Sequence, residues 1–147
     1  MTMTKNDFSA HSDQPHEVLD ISGAGMKVLS DDHAVFLGDH IVPPGYSVPP
    51  HRHEHEDEIL FILEGQLTLH DGTSTTKVDP GASVRYGRGV LHGFSNDTQD
   101  PVRFLVIATP GANIGEMFRH FDRAGRSGPL TPERIGEISM QYGVPMD

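Results

Sequence analysis

Four side chains, His51, His53, Glu58 and His92, have the types and spacing to hold one divalent metal ion. His51 and His53 stand two residues apart, and on a β-strand such residues point to the same face. Two imidazoles on one face can share an ion. Glu58 follows after a change of strand and adds a carboxylate oxygen. His92 completes a set of three nitrogens and one oxygen if its strand lies beside the first. A transition ion that prefers five or six ligands keeps open positions in such a set, and open positions are what dioxygen or a bidentate substrate needs. His55 continues the alternation from His53 and is a rival ligand. Glu54, Glu56 and Asp57 read as an acidic rim on a solvated face.

The elements that must position these residues are short strands. Sixteen glycines and eleven prolines punctuate the chain at close intervals, a pattern of many strands and tight turns. Strands are predicted over 17–21, 26–30, 33–42, 58–63, 66–70, 73–78, 83–86, 91–96 and 102–109. Asp71-Gly72 is a hairpin signal, because both residues tolerate positive φ. The spacing suits a sandwich or small barrel. After Pro110 the period changes. Ile114, Met117, Phe118 and Phe121 share one helix face, with Asn113 placed to cap the start and Gly125 to end it. Thr131-Pro132-Glu133 opens a second helix with a cap, a proline in the first turn and an acid near the positive end. Ile135, Ile138 and Tyr142 line its apolar face, and Gly143 stops it. Three parts are therefore expected: a flexible polar segment over 1–16, a β-barrel over 17–110 and a helical extension over 111–147 that packs on the barrel's outside or on a partner subunit.

These residues also fill two motifs, and through them the chain resembles the cupins. The first, G-x5-HxH-x4-E-x6-G, is filled by Gly45, His51, His53, Glu58 and Gly65. The second, G-x5-PxG-x2-H-x3-N, is filled by Gly81, Gly89, His92 and Asn96, with Gly87 standing where the family has proline. A more flexible turn before His92 is the expected consequence. The flanks Val42-Pro-Pro-Gly45, Pro49-Pro50 and Glu56-Asp57, with the tail Thr109-Pro110-Gly111, Met117-Phe118, Pro132-Glu133 and Tyr142-Gly143-Val144, resemble the quercetinase-like single-domain cupins. The resemblance implies an all-β double-stranded β-helix, a jelly-roll barrel, with two short C-terminal helices. It implies one divalent transition metal ion per chain (iron, manganese, nickel, cobalt, copper or zinc) held by His51, His53, Glu58 and His92. It also implies a dioxygenase acting on a small, enolisable, flavonol-like aromatic substrate, with Glu58 as both ligand and base. Cupins with the same ligands act as isomerases, lyases and cyclases that use the ion as a Lewis acid, and others bind small molecules without turnover.

Around the ligands, Tyr46 and Phe94 are the candidate pocket residues; Phe94 is two past His92 and shares its face on a regular strand. His40 and His70 sit at strand ends and read as surface residues. The net charge of -10 argues against nucleic acid as a partner, which is bound by cationic neutralisation of phosphates. No apolar run approaches the ~20 residues of a membrane span. The polar start has no apolar core of a secretory signal, so a cytoplasmic protein is the default. Zero cysteine removes thiolate metal sites and disulfides. Residues 58–63 are apolar on both faces, and such a strand needs a cover on each. A homodimer is expected to supply one, and the remaining partners are a small-molecule substrate and, for the oxygenase reading, dioxygen.

Overall fold

The computed structural model describes residues 15–111 and 113–146, so nearly all of the expected flexible segment lies outside the described residues. Alternation builds the barrel. In the last strand, Val102–Thr109, Val102, Phe104, Val106 and Ala108 are buried while the residues between them are half-buried. A period of two on a pleated strand sends one set inward and the other outward. The same rule sorts Leu60 and Ile62 from Ile59 and Phe61 on the strand Asp57–Glu64, whose outer residues are exposed.

Ten strands and two helices form among the described residues. They are β1 (Val18–Ile21), β2 (Ala24–Asp31), β3 (Phe36–Val42), β4 (Ser47–His51), β5 (Asp57–Glu64), β6 (Leu67–His70), β7 (Thr75–Val78), β8 (Ser83–Tyr86), β9 (His92–Ser95), β10 (Val102–Thr109), α1 (Ile114–Arg126) and α2 (Pro132–Met140). The strands make a six-stranded sheet in the order β1-β2-β3-β10-β5-β8 and a four-stranded sheet in the order β4-β9-β6-β7. Every pairing is antiparallel. Phe36, Leu60, Ile62 and Phe104 from the large sheet and Leu67 and Leu69 from the small one share one apolar core. This is the all-β double-stranded β-helix with two C-terminal helices that the sequence led us to expect.

Gly65 shows why the motif glycines sit where they do. It has φ of +79°, and a Cβ there would lie 2.9 Å from the Pro101 carbonyl oxygen, so both the turn and the space require glycine. Asn96, at the end of the second motif, is fully buried. Its amide donates to the carbonyls of Val42 and Asp100, and its oxygen accepts from Thr98, which ties the turn after β9 to β3.

Three features of the helices differ from expectation. α2 ends at Met140, so Tyr142 and Gly143 lie in the turn beyond it. Asn113 occupies the N-cap of α1 but makes no side-chain cap bond. The helix also runs through Gly125 and ends after Arg126. An interior glycine costs only ~1 kcal/mol relative to alanine, and Arg126 is held by an ion pair to Asp122 one turn back, at 2.7 Å. Thr131 caps α2 as expected, accepting from the Arg134 N–H at 3.1 Å. The apolar face of α1 (Ile114, Met117, Phe121) is buried, α1 lies against β1 and α2, and Ile138 joins the core from α2. No helix among the described residues is long and apolar enough to cross a membrane.

Candidate metal centre

The antiparallel pairing of β4 with β9 sets His51 directly opposite His92. An irregularity in that pairing between Val48 and His51 brings the two into register. His53 lies past the end of β4, so the simple alternation of one strand does not place it. Its segment is held instead by Gly89, whose N–H donates to the His53 carbonyl at 2.9 Å, and by residues after α2. The Arg52 N–H donates to the Pro145 carbonyl at 3.0 Å, the Glu54 N–H donates to Gly143 at 2.9 Å, and Met146 bridges to His51. Gly143 must be glycine here: its φ is +74°, and a Cβ would meet the His55 ring at 2.6 Å. Glu58 near the start of β5 pairs with Tyr86 on one side and Ala108 on the other.

All four side chains are buried and converge. The three histidines each bring a ring nitrogen within 4.8 Å of the others. Glu58 places Oε2 at 3.1 Å from His53 Nε2 and Oε1 at 3.4 Å from His92 Nε2. The far nitrogens are anchored. His51 Nδ1 donates to the Pro49 carbonyl and His92 Nδ1 to the Val90 carbonyl, each at 2.9 Å. A carbonyl only accepts, so each Nδ1 carries the hydrogen and each Nε2 is left with a bare lone pair. His53 Nδ1 faces Glu56 Oε1 at 3.3 Å. The Nε2 atoms of His53 and His92 are buried and make no hydrogen bond; the Glu58 contacts are close but not aligned as one. Buried polar atoms are normally satisfied. Two aimed at one point beside a carboxylate fit a divalent ion, with the anchoring partners that metal-binding histidines use.

The electrostatics follow from the same contacts. Burial pushes His51 down to about 4, helped by His92 beside it. Burial also pushes on His53, but Glu58 and Glu56, one on each nitrogen, outweigh it and lift His53 to about 9. Burial alone would raise Glu58, yet His53 and His92 hold it ionised well below the usual carboxylate range. Without an ion, the proton on His53 offsets the negative charge of Glu58. A bound ion would take its place.

A cavity of about 90 Å³ adjoins His51, His53 and Glu58. Its other wall is Met117, Phe118 and Phe121 of α1, Ile135 of α2, and Val144 and Met146. The helical extension therefore closes the end of the barrel that holds the ligands, where the sequence suggested the barrel's outside or a partner subunit. Tyr46 and Phe94 are not among the residues lining this cavity. The Tyr46 hydroxyl donates to the Ile21 carbonyl at 2.7 Å, and its ring stacks on Phe94 in a cluster with His40 and Phe104.

Three acidic-rim or surface assignments change. Glu56 is fully buried, because the short turn between His53 and β5 folds it back onto the His53 ring. His40 is buried among aromatic rings with its Nδ1 facing the Gly25 carbonyl at 2.8 Å. His70 is half-buried against the Ser95 hydroxyl at 2.8 Å. Glu54 is exposed, as read from the sequence; His55, the rival ligand, is exposed too and does not join the other three histidines; Asp57 is half-buried with ion pairs to Arg85 and Arg88. Sequence reasoning missed Glu56 and the helical wall of the cavity. The signal for Glu56 was its place three residues after a ligand inside a turn.

Comparison with known proteins agrees with this architecture. A model of the cupin domain matches residues 38–108. The oxalate-binding protein of Thermotoga maritima is 33% identical over 66 residues, 45% of this chain and 54% of that protein, so the chain spans about half of that relative's length. The tetracenomycin polyketide synthase protein TcmJ of Streptomyces glaucescens is 28% identical over 102 residues, 69% of this chain and 68% of that protein. The solved structure of the polyketide cyclase RemF from Streptomyces resistomycificus is similar with a TM-score of 0.54 at 30% identity, over 74% of this chain and 78% of that one. With both motifs, the barrel topology and the converging histidines in place, the chain belongs to the cupin superfamily.

Proposed function

We propose that the chain is a metal-dependent cupin enzyme that closes a ring in an enolisable, apolar, polyketide-like substrate, with His51, His53, His92 and Glu58 holding one divalent ion. The observation that carries the metal is the pair of buried, unbonded Nε2 atoms on His53 and His92 beside Glu58. The ion would supply Lewis acidity toward a substrate oxygen. The residues do the rest. Glu58 is the carboxylate beside the proposed ion and is assigned the role of taking the acidic proton of an enolisable carbon or hydroxyl. Met117, Phe118, Phe121 and Ile135 wall a cavity of about 90 Å³ beside the ligands, room for the apolar reacting end of a substrate and not for its whole framework. The likeness to TcmJ and RemF, two polyketide proteins, supports the ring-closing reading.

A second reading keeps the same centre and uses dioxygen on a flavonol-like substrate. The flanks around the metal motif, which resemble quercetinase-like cupins, favour it. One experiment separates the two. Protein loaded with zinc, iron, manganese, nickel, cobalt or copper is incubated with polyketide mimics, β-diketones and flavonols, with product mass and oxygen uptake followed together. Turnover with zinc and no oxygen uptake supports ring closure, because zinc has no redox chemistry. Turnover confined to redox-active ions with oxygen consumption moves the assignment to the dioxygenase. Saturable binding with no product for any loaded ion sinks both and leaves a binding protein.

A further inference from the structure

Among the described residues, three buried side-chain polar atoms have no hydrogen-bond partner: His53 Nε2, His92 Nε2 and the Tyr86 hydroxyl. The ion proposed above would satisfy the first two. The third belongs to a ring that lies flat on His92, with centroids 4.0 Å apart and planes 10° from parallel. β8 sets Tyr86 directly opposite Glu58. The other two tyrosines are satisfied, Tyr46 by the Ile21 carbonyl and Tyr142 by His120 at 3.0 Å. A buried hydroxyl without a partner leaves its desolvation cost unrecovered until an acceptor arrives. An ordinary phenol keeps its proton at neutral pH, so the hydroxyl is available as a donor. Tyr86 also lines a cleft of about 290 Å³ at the seam between the β7 edge of one sheet and the β8 edge of the other, beside Leu69, Val78 and Val84. Tyr86 thus borders that cleft while stacking on one ligand and facing another across the strand pair.

We infer that Tyr86 is a substrate-binding residue whose hydroxyl donates a hydrogen bond to an oxygen of the molecule that occupies the metal's open positions. This rests on the metal reading above. It adds a selection rule: the site favours a ligand with an oxygen lone pair left over after coordination.

The test compares wild type with Tyr86→Phe, which keeps the stack on His92 and removes the donor. Both are loaded with cobalt(II), and binding is read from the visible cobalt spectrum. Acetohydroxamate is the oxygen-donor probe. Imidazole is the control, because it spends its one lone pair on the ion. Tyr86→Phe is expected to weaken acetohydroxamate by about tenfold while imidazole and cobalt affinities stay within about twofold. Equal weakening of both probes, or of neither, overturns the role of Tyr86 and leaves the metal reading standing. Wild type that takes up no cobalt overturns both. Should Tyr86→Phe fail to fold, zinc-loaded wild type carrying ¹³Cζ-tyrosine decides. The Tyr86 resonance, assigned by excluding those lost in Tyr46→Phe and Tyr142→Phe, must shift on adding acetohydroxamate, and an unmoved resonance refutes the inference.

Discussion

Replacing Glu56 by glutamine tests whether the buried carboxylate behind His53 works for the metal. The amide keeps the shape and can still accept from Nδ1, so the change removes charge and little else. Of the three histidines, His51 and His92 are anchored on backbone carbonyls that no side-chain change removes. His53 alone relies on a carboxylate at its far nitrogen. Loss of such an outer partner lowers metal affinity by roughly 10–100-fold, or about 1.4–2.8 kcal/mol. The contact is long at 3.3 Å, which points to the lower part of that range. Full burial keeps the charge unscreened, so the effect should not vanish in salt. Competition for zinc against a chromophoric chelator, run at low and high salt, measures it. Glu54→Gln, at an exposed neighbour, is the control. Equal zinc affinity in Glu56→Gln and wild type, or equal weakening in the Glu54→Gln control, would refute the argument.

Three further outcomes are expected. Metal uptake at pH 7 should release about one proton per ion, because His53 holds its proton up to about 9 and must shed it to bind; calorimetry in buffers of different ionisation enthalpy counts it, and zero release contradicts the contact with Glu58. His40 is depressed to about 4 by burial from an ordinary value of 6.5, so the unfolded chain takes up the proton first. Its contribution of about 3 kcal/mol is present above pH 6.5 and is lost as pH falls from 6.5 to 4; urea melts of wild type and His40→Gln across that window should converge in acid relative to neutral pH. The exposed outer faces of Ile41, Ile59 and Phe61 are expected to be covered by a second copy, so light scattering should give a dimer and Phe61→Glu a monomer.

The metal motif was legible because its residues meet at a point set by strand register and by turns that need glycine, and both leave marks in the spacing. The strands were legible as short apolar and β-branched runs between glycine and proline turns, and burial alternates along β10 and along β5 as far as Ile62. What stayed hidden depends on how the chain bends between elements. Glu56 looks like its neighbours Glu54 and Asp57 until the turn after His53 rotates it inward. His40 was read as a surface residue near a strand end, but β3, which ends at Val42 as expected, turns it inward among the rings of Tyr46, Phe94 and Phe104. The stop at Gly125 was overridden by a local ion pair. Tyr46 and Phe94 do not line the cavity beside the ligands, for a related reason. The cavity beside the ligands takes much of its wall from α1, α2 and the residues after them, which lie far along the chain from either motif.

The bonds from Gly143 and Pro145 to the ligand-bearing segment, and the bridge from Met146, bear on the order of events as the protein forms. They close over most of the length of the described chain, and ordering long loops is slow relative to pairing neighbouring strands. His51 and His92 can meet as soon as β4 finds β9. The segment carrying His53 is then held by Gly89, whose N–H donates to the His53 carbonyl at 2.9 Å, and its clasp is complete only when the residues beyond α2 arrive. An ion captured before that moment sits in an open and exchangeable site. Once the clasp is in place, the same ion lies beneath the helices. The chain thus sets in time, as well as in space, when its metal becomes committed.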